Sequence, residues 1–173
     1  NSATPVYNPQ GVSRDRQIRV EFSKTLDESN FIFDENEIPA DSIAKIDEEG
    51  NIWAYVLNEQ TYLKNIKISN NDNYSVAEHF LSPKIEGTVL VIDVDKTNVF
   101  TFNSGEISKT INVELSEKIK CTSGISMNVS KSWNYLITDS TDEKATVNLS
   151  CEAKEGSVYL SGTKDYSIGQ KIT

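Results

Sequence analysis

The chain has 173 residues, of which 37% are hydrophobic and 9% aromatic, so it can bury a core as one large domain or as a domain plus a fragment. Lys and Arg total 17 against 26 Asp and Glu, and the formal net charge of −9 argues against binding to nucleic acid. No segment approaches the roughly 18 consecutive apolar residues of a membrane-spanning helix, so the sequence predicts no membrane span.

Alternation of apolar and polar residues dominates the first half of the chain. At positions 18 to 23, the apolar residues Ile18, Val20 and Phe22 alternate with polar ones, which predicts a half-buried strand. The segment GNIWAYVLN, at residues 50–58, follows a turn and predicts a second strand. The segment YLKNIKIS, at residues 62–69, continues the pattern up to the polar break NNDNY.

The second half of the chain continues with strands separated by Gly, Asn, Asp and Ser clusters. GTVLVIDVDK, at residues 87–96, is apolar on both faces and predicts a central, buried strand. Alternating strands follow in KTINVELS, SWNYLIT, ATVNLSCEA, GSVYLSG and DYSIGQKIT. Only DSIAKI, at residues 41–46, and YSVAEHFL, at residues 74–81, suggest short helical turns. This pattern predicts an all-β sandwich.

Three segments of this sandwich resemble a known family, and one of them is the apolar strand GTVLVIDVD at residues 87–95. The stretch P-x-G-V-S-R-D-x-x-I-x-V-x-F-S-K-x-L-D, from Pro9 to Asp27, resembles the opening of bacterial immunoglobulin-like domains of the Big_5 type. Residues 111–137 are similar to the closing segment of that family, with a Ser-Gly turn, a Met and an aromatic last strand at Gly124, Met127 and Trp133. The resemblance implies an immunoglobulin-like β-sandwich over residues 1–141, with a long middle insertion that spans residues 28–86.

The last 32 residues have a different pattern. An acidic stretch, TDSTDEK, predicts a linker, and Gly156, Gly162, Tyr166 and Gly169 resemble the first half of an InlB-type B repeat, a β module of bacterial surface proteins. A segment of about 30 residues is too short for an independent core. We therefore expect residues 142–173 to be a linker and a partial second β module, with a short extra β-hairpin.

The chain has two cysteines, Cys121 and Cys151. In an oxidising compartment the two thiols would form one disulfide, and otherwise both would be buried thiols. Without a supporting cluster of ligands, the pair is a poor zinc site. The disulfide is a hypothesis that depends on geometry the sequence does not supply.

Residues suited to catalysis are scarce. His79 is the only histidine, so a Ser-His-Asp triad would depend on it alone, and a packed or surface role is the simpler interpretation. Asp93 and Asp95 share one face of a predicted strand and suit either a calcium ion held with loop carbonyls or ordinary solvated charge at a strand end. The sequence therefore predicts a non-enzymatic protein without a cofactor.

Aromatic residues are the best candidates for ligand binding. Trp53 and Tyr55 share one face of a predicted strand and Tyr62 follows nearby, so the three are a candidate platform for a sugar ring or a protein contact. In the alternative interpretation, Trp53 fills the core of the sandwich, as a buried Trp does in many immunoglobulin-type folds.

Function and location are expectations that the resemblance implies. It points to a module of an exported bacterial surface protein or lipoprotein, at the cell surface, in the periplasm or outside the cell, acting as a stalk, spacer or adhesion domain. Its partners would be neighbouring domains of the same polypeptide and a host extracellular protein or glycan. The alternative is a carbohydrate- or protein-binding module that uses the aromatic face.

Overall fold

A computed structural model describes residues 2–141 in full, together with the backbone of residues 145–150 and 161–166. By contact density the chain divides into two units, Asn1–Thr141 and Asp142–Thr173. The first unit is an all-β sandwich with a small additional sheet. Within the described residues, no helix is long and apolar enough to cross a membrane.

The first sheet of the sandwich contains four strands in the order β1-β3-β9-β8. These are β1 (Ala3–Thr4), β3 (Ile18–Glu21), β8 (Lys84–Glu86) and β9 (Val89–Ile92). Each neighbouring pair is antiparallel. The predicted alternation in the opening strand is confirmed, since Ile18, Val20 and Phe22 are buried and the residues between them are exposed. The predicted central position of β9 is also confirmed, because it lies between β3 and β8 and buries Leu90, Val91 and Ile92.

The second sheet has the order β2-β11-β10-β7. Its strands are β2 (Val12–Ser13), β7 (Ile66–Ser69), β10 (Lys109–Leu115) and β11 (Lys131–Thr138). β10 pairs antiparallel with both β11 and β7, whereas β2 pairs parallel with β11. The inward side chains of the two sheets form one hydrophobic core, which includes Ile18 and Leu90 from the first sheet and Ile68, Val113 and Tyr135 from the second.

A third sheet lies between β3 and β7 in the chain, inside the region predicted as an insertion. It contains β4 (Ile43–Ile46), β5 (Ile52–Leu57) and β6 (Gln60–Leu63), all antiparallel. The β5–β6 connection is a two-residue turn in which both Asn58 and Glu59 have positive φ, the geometry of a type I′ hairpin. Ala54, Thr61 and Leu63 are buried, so one face of this sheet is covered by the rest of the unit.

The helical turns suggested by the sequence have different outcomes. Residues 74–81 contain one 3-10 turn, Ala77–His79, as expected for a single short turn. The prediction for residues 41–46 is wrong, because Ile43–Ile46 is the edge strand β4. Ile43 and Ile46 are exposed, so this segment has no buried helical face, and the backbone bonds that β5 offers decide its conformation. Two further 3-10 turns are Glu28–Phe31 and Glu35–Glu37.

The segment YLKNIKIS forms two strands in different sheets rather than one strand. β6 ends at Leu63 in the small sheet, and β7 begins at Ile66 in the sandwich. Asn65, between them, has a φ of 62° and accepts a backbone bond from Ser116. Asn tolerates this left-handed conformation better than most residues, so it supplies the bend by which the chain leaves one sheet and enters the other.

The second unit contains the antiparallel pair β12 (Ala145–Ser150) and β13 (Ser161–Tyr166). Ala145 pairs with Tyr166 and Ser150 pairs with Ser161. Of the four residues that carry the InlB-type resemblance, Gly162 and Tyr166 fall in β13, and Gly156 and Gly169 lie outside the described residues.

Candidate functional site

The structure brings Tyr55 and Tyr62 of the predicted platform together. The two residues are direct neighbours across β5 and β6. Their rings stack with centroids 5.1 Å apart and an angle of 23° between the ring planes. The rings of Phe33 and Tyr55 meet edge to face, with centroids 5.3 Å apart and an angle of 62° between the ring planes. Tyr55 therefore lies in the middle of a series of three rings, which we call the aromatic row.

Trp53 lies apart from the aromatic row. It is half-buried, packs against the core, and lines a separate groove with Phe31, Pro83 and Ile85. The ammonium group of Lys45 lies 5.0 Å from the centroid of its indole ring, within the range of a cation–π contact. Alternation places Trp53 on the side of β5 that carries Tyr55, but the pairing of β4 with β5 shifts register at Lys45 and Ile46. Such an irregularity increases the local twist and turns the two aromatic residues toward different surroundings.

The aromatic row lines an open depression of about 640 Å³. Three lysines and one acid, Lys64, Lys118, Lys120 and Glu37, share its lining with the rings. Lys64 donates to Glu37 Oε2 at 3.0 Å and to the carbonyl oxygen of Ile32 at 2.9 Å, so its ammonium group is held in place. Lys118 and Lys120 are exposed. The depression therefore combines flat apolar rings with positive charge in a chain whose net charge is −9.

Asn30 fixes the part of the chain that carries these exposed lysines. Its side-chain amide is buried, and Nδ2 donates to the carbonyl oxygens of Asp27 and Lys120 at 2.7 and 2.6 Å. Its Oδ1 accepts from the N–H of Lys120 at 2.8 Å. The Nδ2 of Asn65 in turn donates to the carbonyl oxygen of Asn30 at 2.7 Å. These bonds connect the 3-10 turn at residues 28–31 with the segment at residues 118–121, about 90 positions later in the chain.

Glu37 is the acid of the depression, and its hydrogen bonds keep it ionised. It closes the capping box of the turn that Asp34 begins, accepting from the N–H of Asp34 at 2.6 Å. That bond, followed by the one from Lys64, holds the pKa of the Glu37 carboxyl below its ordinary value. The charge on Glu37 therefore persists under mildly acidic conditions and keeps Lys64 paired.

Removing Lys64 is expected to raise the pKa of Glu37 toward its ordinary value without reaching it. In Lys64→Met the ammonium donor is lost, but the N–H of Asp34 still bonds the carboxylate, so the pKa stays below the ordinary value. A carbon-detected NMR titration of the Glu37 carboxyl measures this shift. Glu106 is the control, because its pKa is lowered in the same way by Asn103 and Lys109 and stays unchanged in the variant. A Glu37 pKa that did not move would contradict the assignment.

The other residues considered for catalysis or metal binding are occupied by local contacts. The Nδ1 of His79 donates to the carbonyl oxygen of Asn98 at 2.7 Å, and its ring lies 4.2 Å from that of Phe100. Asp93 accepts from Gln17, and Asp95 accepts twice from Thr97. Within the described part of the chain, no group of three or more His, Cys, Asp or Glu residues is arranged to hold a metal ion.

Cys121 is buried beside the turn at Gly124. Its Sγ lies 3.0 Å from the hydroxyl of Ser123, and this hydrogen bond lowers the pKa of the thiol. The predicted partner, Cys151, lies outside the described residues, so the disulfide stays a prediction. The turn itself has the form that the sequence predicted, since Gly124 has a φ of 83° and its N–H bonds the carbonyl oxygen of Cys121.

Two aromatic residues of the depression, Tyr55 and Tyr62, were predicted from the sequence as candidates for binding, and its other lining residues were not. Phe33, Lys64, Lys118 and Lys120 come from three separate parts of the chain, and no local pattern connects them. One signal was available in the sequence, because Lys118 and Lys120 are alternate residues just after a predicted strand and project as a pair.

Comparisons of the chain with protein-family models, with curated proteins and with solved structures found no match.

Proposed function

We propose that the chain is a non-enzymatic immunoglobulin-like module of an exported bacterial surface protein or lipoprotein, acting as a stalk, spacer or adhesion domain. The bacterial and exported setting rests on the resemblance of residues 9–27 and 111–137 described above. The net charge of −9 is compatible with it, since strong like charge keeps a protein soluble outside the cell.

The strand order supports the immunoglobulin-like assignment. In a constant-type immunoglobulin sandwich, strands A, B, E and D form one sheet and strands C, F and G form the other. The order β1-β3-β9-β8 corresponds to A-B-E-D, and β7-β10-β11 corresponds to C-F-G. The small sheet β4–β6 is then an insertion between strands B and C.

The parallel pairing of β2 with β11 is the observation that carries the stalk role. Val12 lies opposite Ile137 and Ser13 opposite Thr138. The N–H of Arg14 bonds the carbonyl oxygen of Ser140 at 2.9 Å, and Arg14 Nη1 lies 2.8 Å from Asp139 Oδ1. Because the two strands run in the same direction, tension applied through the two ends of the chain pulls them past each other. The bonds between them are then loaded together rather than one after another.

Pulling experiments on single molecules test this role. With handles at the two ends of the chain, we expect the β2–β11 pair to resist until its bonds break together, which gives a high rupture force. With handles at Asn8 and Val129, which precede the two strands, the same bonds are peeled apart in turn and the rupture force is lower. Both residues are exposed, so the handles leave the fold intact. Equal rupture forces in the two geometries would contradict the proposal that the β2–β11 pair carries tension.

The aromatic row supports the adhesion role, in which the module binds a ligand. Tyr62 is exposed although it is a large aromatic residue, and it adjoins a depression with polar and charged lining. Aromatic residues that combine a flat apolar face with a polar tip are enriched at binding surfaces. Binding to arrayed glycans and extracellular proteins, compared between the wild type and Tyr62→Ala, tests this role.

A further inference from the structure

We infer that the depression around the aromatic row is a binding site for an anionic carbohydrate, with Tyr62 against a sugar ring and Lys118 and Lys120 at its carboxylate or sulfate groups. This inference rests on the adhesion role proposed above, and it names the chemical class of ligand. Trp53, which lies in a separate groove, takes no part in the site.

The charge of the residues that line the depression favours an anionic ligand. The chain has nine more acidic than basic residues, yet the lining of the depression contains three lysines and a single carboxylate. Lys64 is paired with Glu37. Among the described residues, no carboxylate lies within ion-pairing distance of Lys118 or Lys120. Two exposed lysines in the lining of one depression, with no carboxylate partner among the described residues, favour an anionic ligand at this position in an acidic protein.

The form of the aromatic row favours a ligand that contains a ring. Phe33 and Tyr55 hold each other by an edge contact, and Tyr62 stacks on Tyr55 at the end of the series. Tyr62 has only Tyr55 as a ring partner within the described part of the chain, and 36% of its surface is exposed. A tyrosine fixed on one side and open on the other offers an apolar surface for the C–H face of a pyranose, with little loss of side-chain freedom on binding.

Hydrogen bonds within the protein hold the depression in its shape before a ligand binds. The bonds of Asn30 fix the backbone at Lys120, and the bond from Lys64 to the carbonyl oxygen of Ile32 fixes the backbone next to Phe33. Binding therefore needs only the ends of the Lys118 and Lys120 side chains to become ordered. Preorganisation of this kind lowers the entropic cost of binding a flexible polymer.

The shape of the depression favours a carbohydrate over an acidic peptide. Peptide recognition relies on an apolar side chain that anchors in an enclosed pocket, or on backbone pairing along a sheet edge. This depression is open, and rings and long cationic side chains line it. Such a surface suits a polar polymer that offers flat rings and regularly spaced charges.

Calorimetric titration of the full chain with polygalacturonate, hyaluronan and chondroitin sulfate tests the inference. We expect saturable binding of at least one of the three, with an affinity that falls as salt is added. Tyr62→Ala is expected to weaken it about tenfold, and Lys118→Ala/Lys120→Ala is expected to weaken it about tenfold and to reduce its salt dependence. Tyr74→Ala and Lys96→Ala are the matched controls, because both residues are exposed and lie elsewhere on the unit. These two substitutions are expected to leave the affinity unchanged.

Three outcomes would overturn the inference. The first is absence of binding to all three polymers. The second is binding of poly-L-glutamate with the same affinity as the polysaccharides and without a change in Tyr62→Ala, which would indicate an acidic peptide or attraction by charge alone. Equal binding of methyl-esterified polygalacturonate, still lost in Tyr62→Ala, would remove the charge requirement and leave the adhesion role standing. The pulling experiment is independent of all three, so failure of the carbohydrate site is distinguishable from failure of the stalk role.

Discussion

Replacing Asn30 with alanine is expected to lower the free energy of unfolding by about 3 kcal/mol, because the buried Asn30 side chain loses three part-buried hydrogen bonds at once. A bond of this kind contributes about 1 kcal/mol net, and its loss leaves backbone groups of Asp27 and Lys120 without that partner. The measurement is the midpoint and slope of urea unfolding, compared between the variant and the wild type.

Asn36→Ala is the matched control for this prediction. Asn36 also lies in a 3-10 turn, but it is exposed, and among the described residues its Nδ2 bonds only the side chain of Asp34, at 3.0 Å. Its replacement is expected to change the unfolding free energy by less than about 0.5 kcal/mol. A change of that small size in Asn30→Ala would mean that the amide does not hold the two chain segments together.

The same substitution separates the structural role of Asn30 from any contact with a ligand. Loss of the bond to Asn30 Oδ1 leaves the N–H of Lys120 without an acceptor, so its hydrogen exchange is expected to accelerate more than that of Val113 in the core. The bond from the N–H of Asp27 to the carbonyl oxygen of Lys120 at 3.1 Å remains, so the backbone at Lys120 is loosened rather than released. Binding of an anionic polymer is expected to weaken as well, while binding to the Asn36→Ala variant stays at the wild-type value.

The strands of the sandwich could be predicted from the sequence because their periodicity reflects burial. β3, β10 and β11 each place alternate residues in the core, and a period of two is visible without knowledge of the partner strand. β9 could be predicted for a different reason, since an internal strand with apolar residues on both faces is a continuous hydrophobic run. Both signals depend on residues close together in the sequence, so they predict the strands without knowledge of distant contacts.

The insertion could not be predicted in the same way, because contacts distant in sequence decide its structure. Ile43 and Ile46 have the spacing of one helical face, but both are exposed, and pairing with β5 determines the conformation. In residues 62–69 the apolar alternation changes phase between Leu63 and Ile66, and the chain changes sheet at the same place. Asn in the middle of an apparent strand was the available signal, since it is a residue that adopts the left-handed conformation.

The candidate site shows the same division between local and distant information. Tyr55 and Tyr62 lie on strands joined by a two-residue turn, so their proximity follows from the hairpin. Lys118 and Lys120 reach the depression through the bonds of Asn30, which join positions 90 residues apart. No sequence pattern encodes a single buried amide of this kind, and so the charge of the site emerged only from the structure.

Replacing Gly11 with alanine is expected to lower the unfolding free energy by about 3 kcal/mol, because β2 approaches β11 too closely for a side chain at this position. A Cβ on Gly11 would lie 2.7 Å from Cγ2 of Thr138 and 3.3 Å from the carbonyl oxygen of Leu136, and the φ of Gly11 is 72°. Urea unfolding measures the loss, and Gly50→Ala is the control. Gly50 has a φ of 84°, and no atom of the described residues lies within 4 Å of its Cβ position, so the backbone strain alone costs about 1 kcal/mol there.

A second substitution locates the origin of the difference between the two glycine variants. Thr138→Ser removes the methyl group that the new Cβ meets and keeps the hydroxyl that donates to the carbonyl oxygen of Val12 at 3.3 Å. The double variant Gly11→Ala/Thr138→Ser should therefore recover part of the lost stability, with a coupling energy of about 1 kcal/mol in a double-mutant cycle. If Gly11→Ala instead costs no more than Gly50→Ala, β2 does not lie against β11 in solution. The pair that would carry tension in the proposed stalk would then be absent.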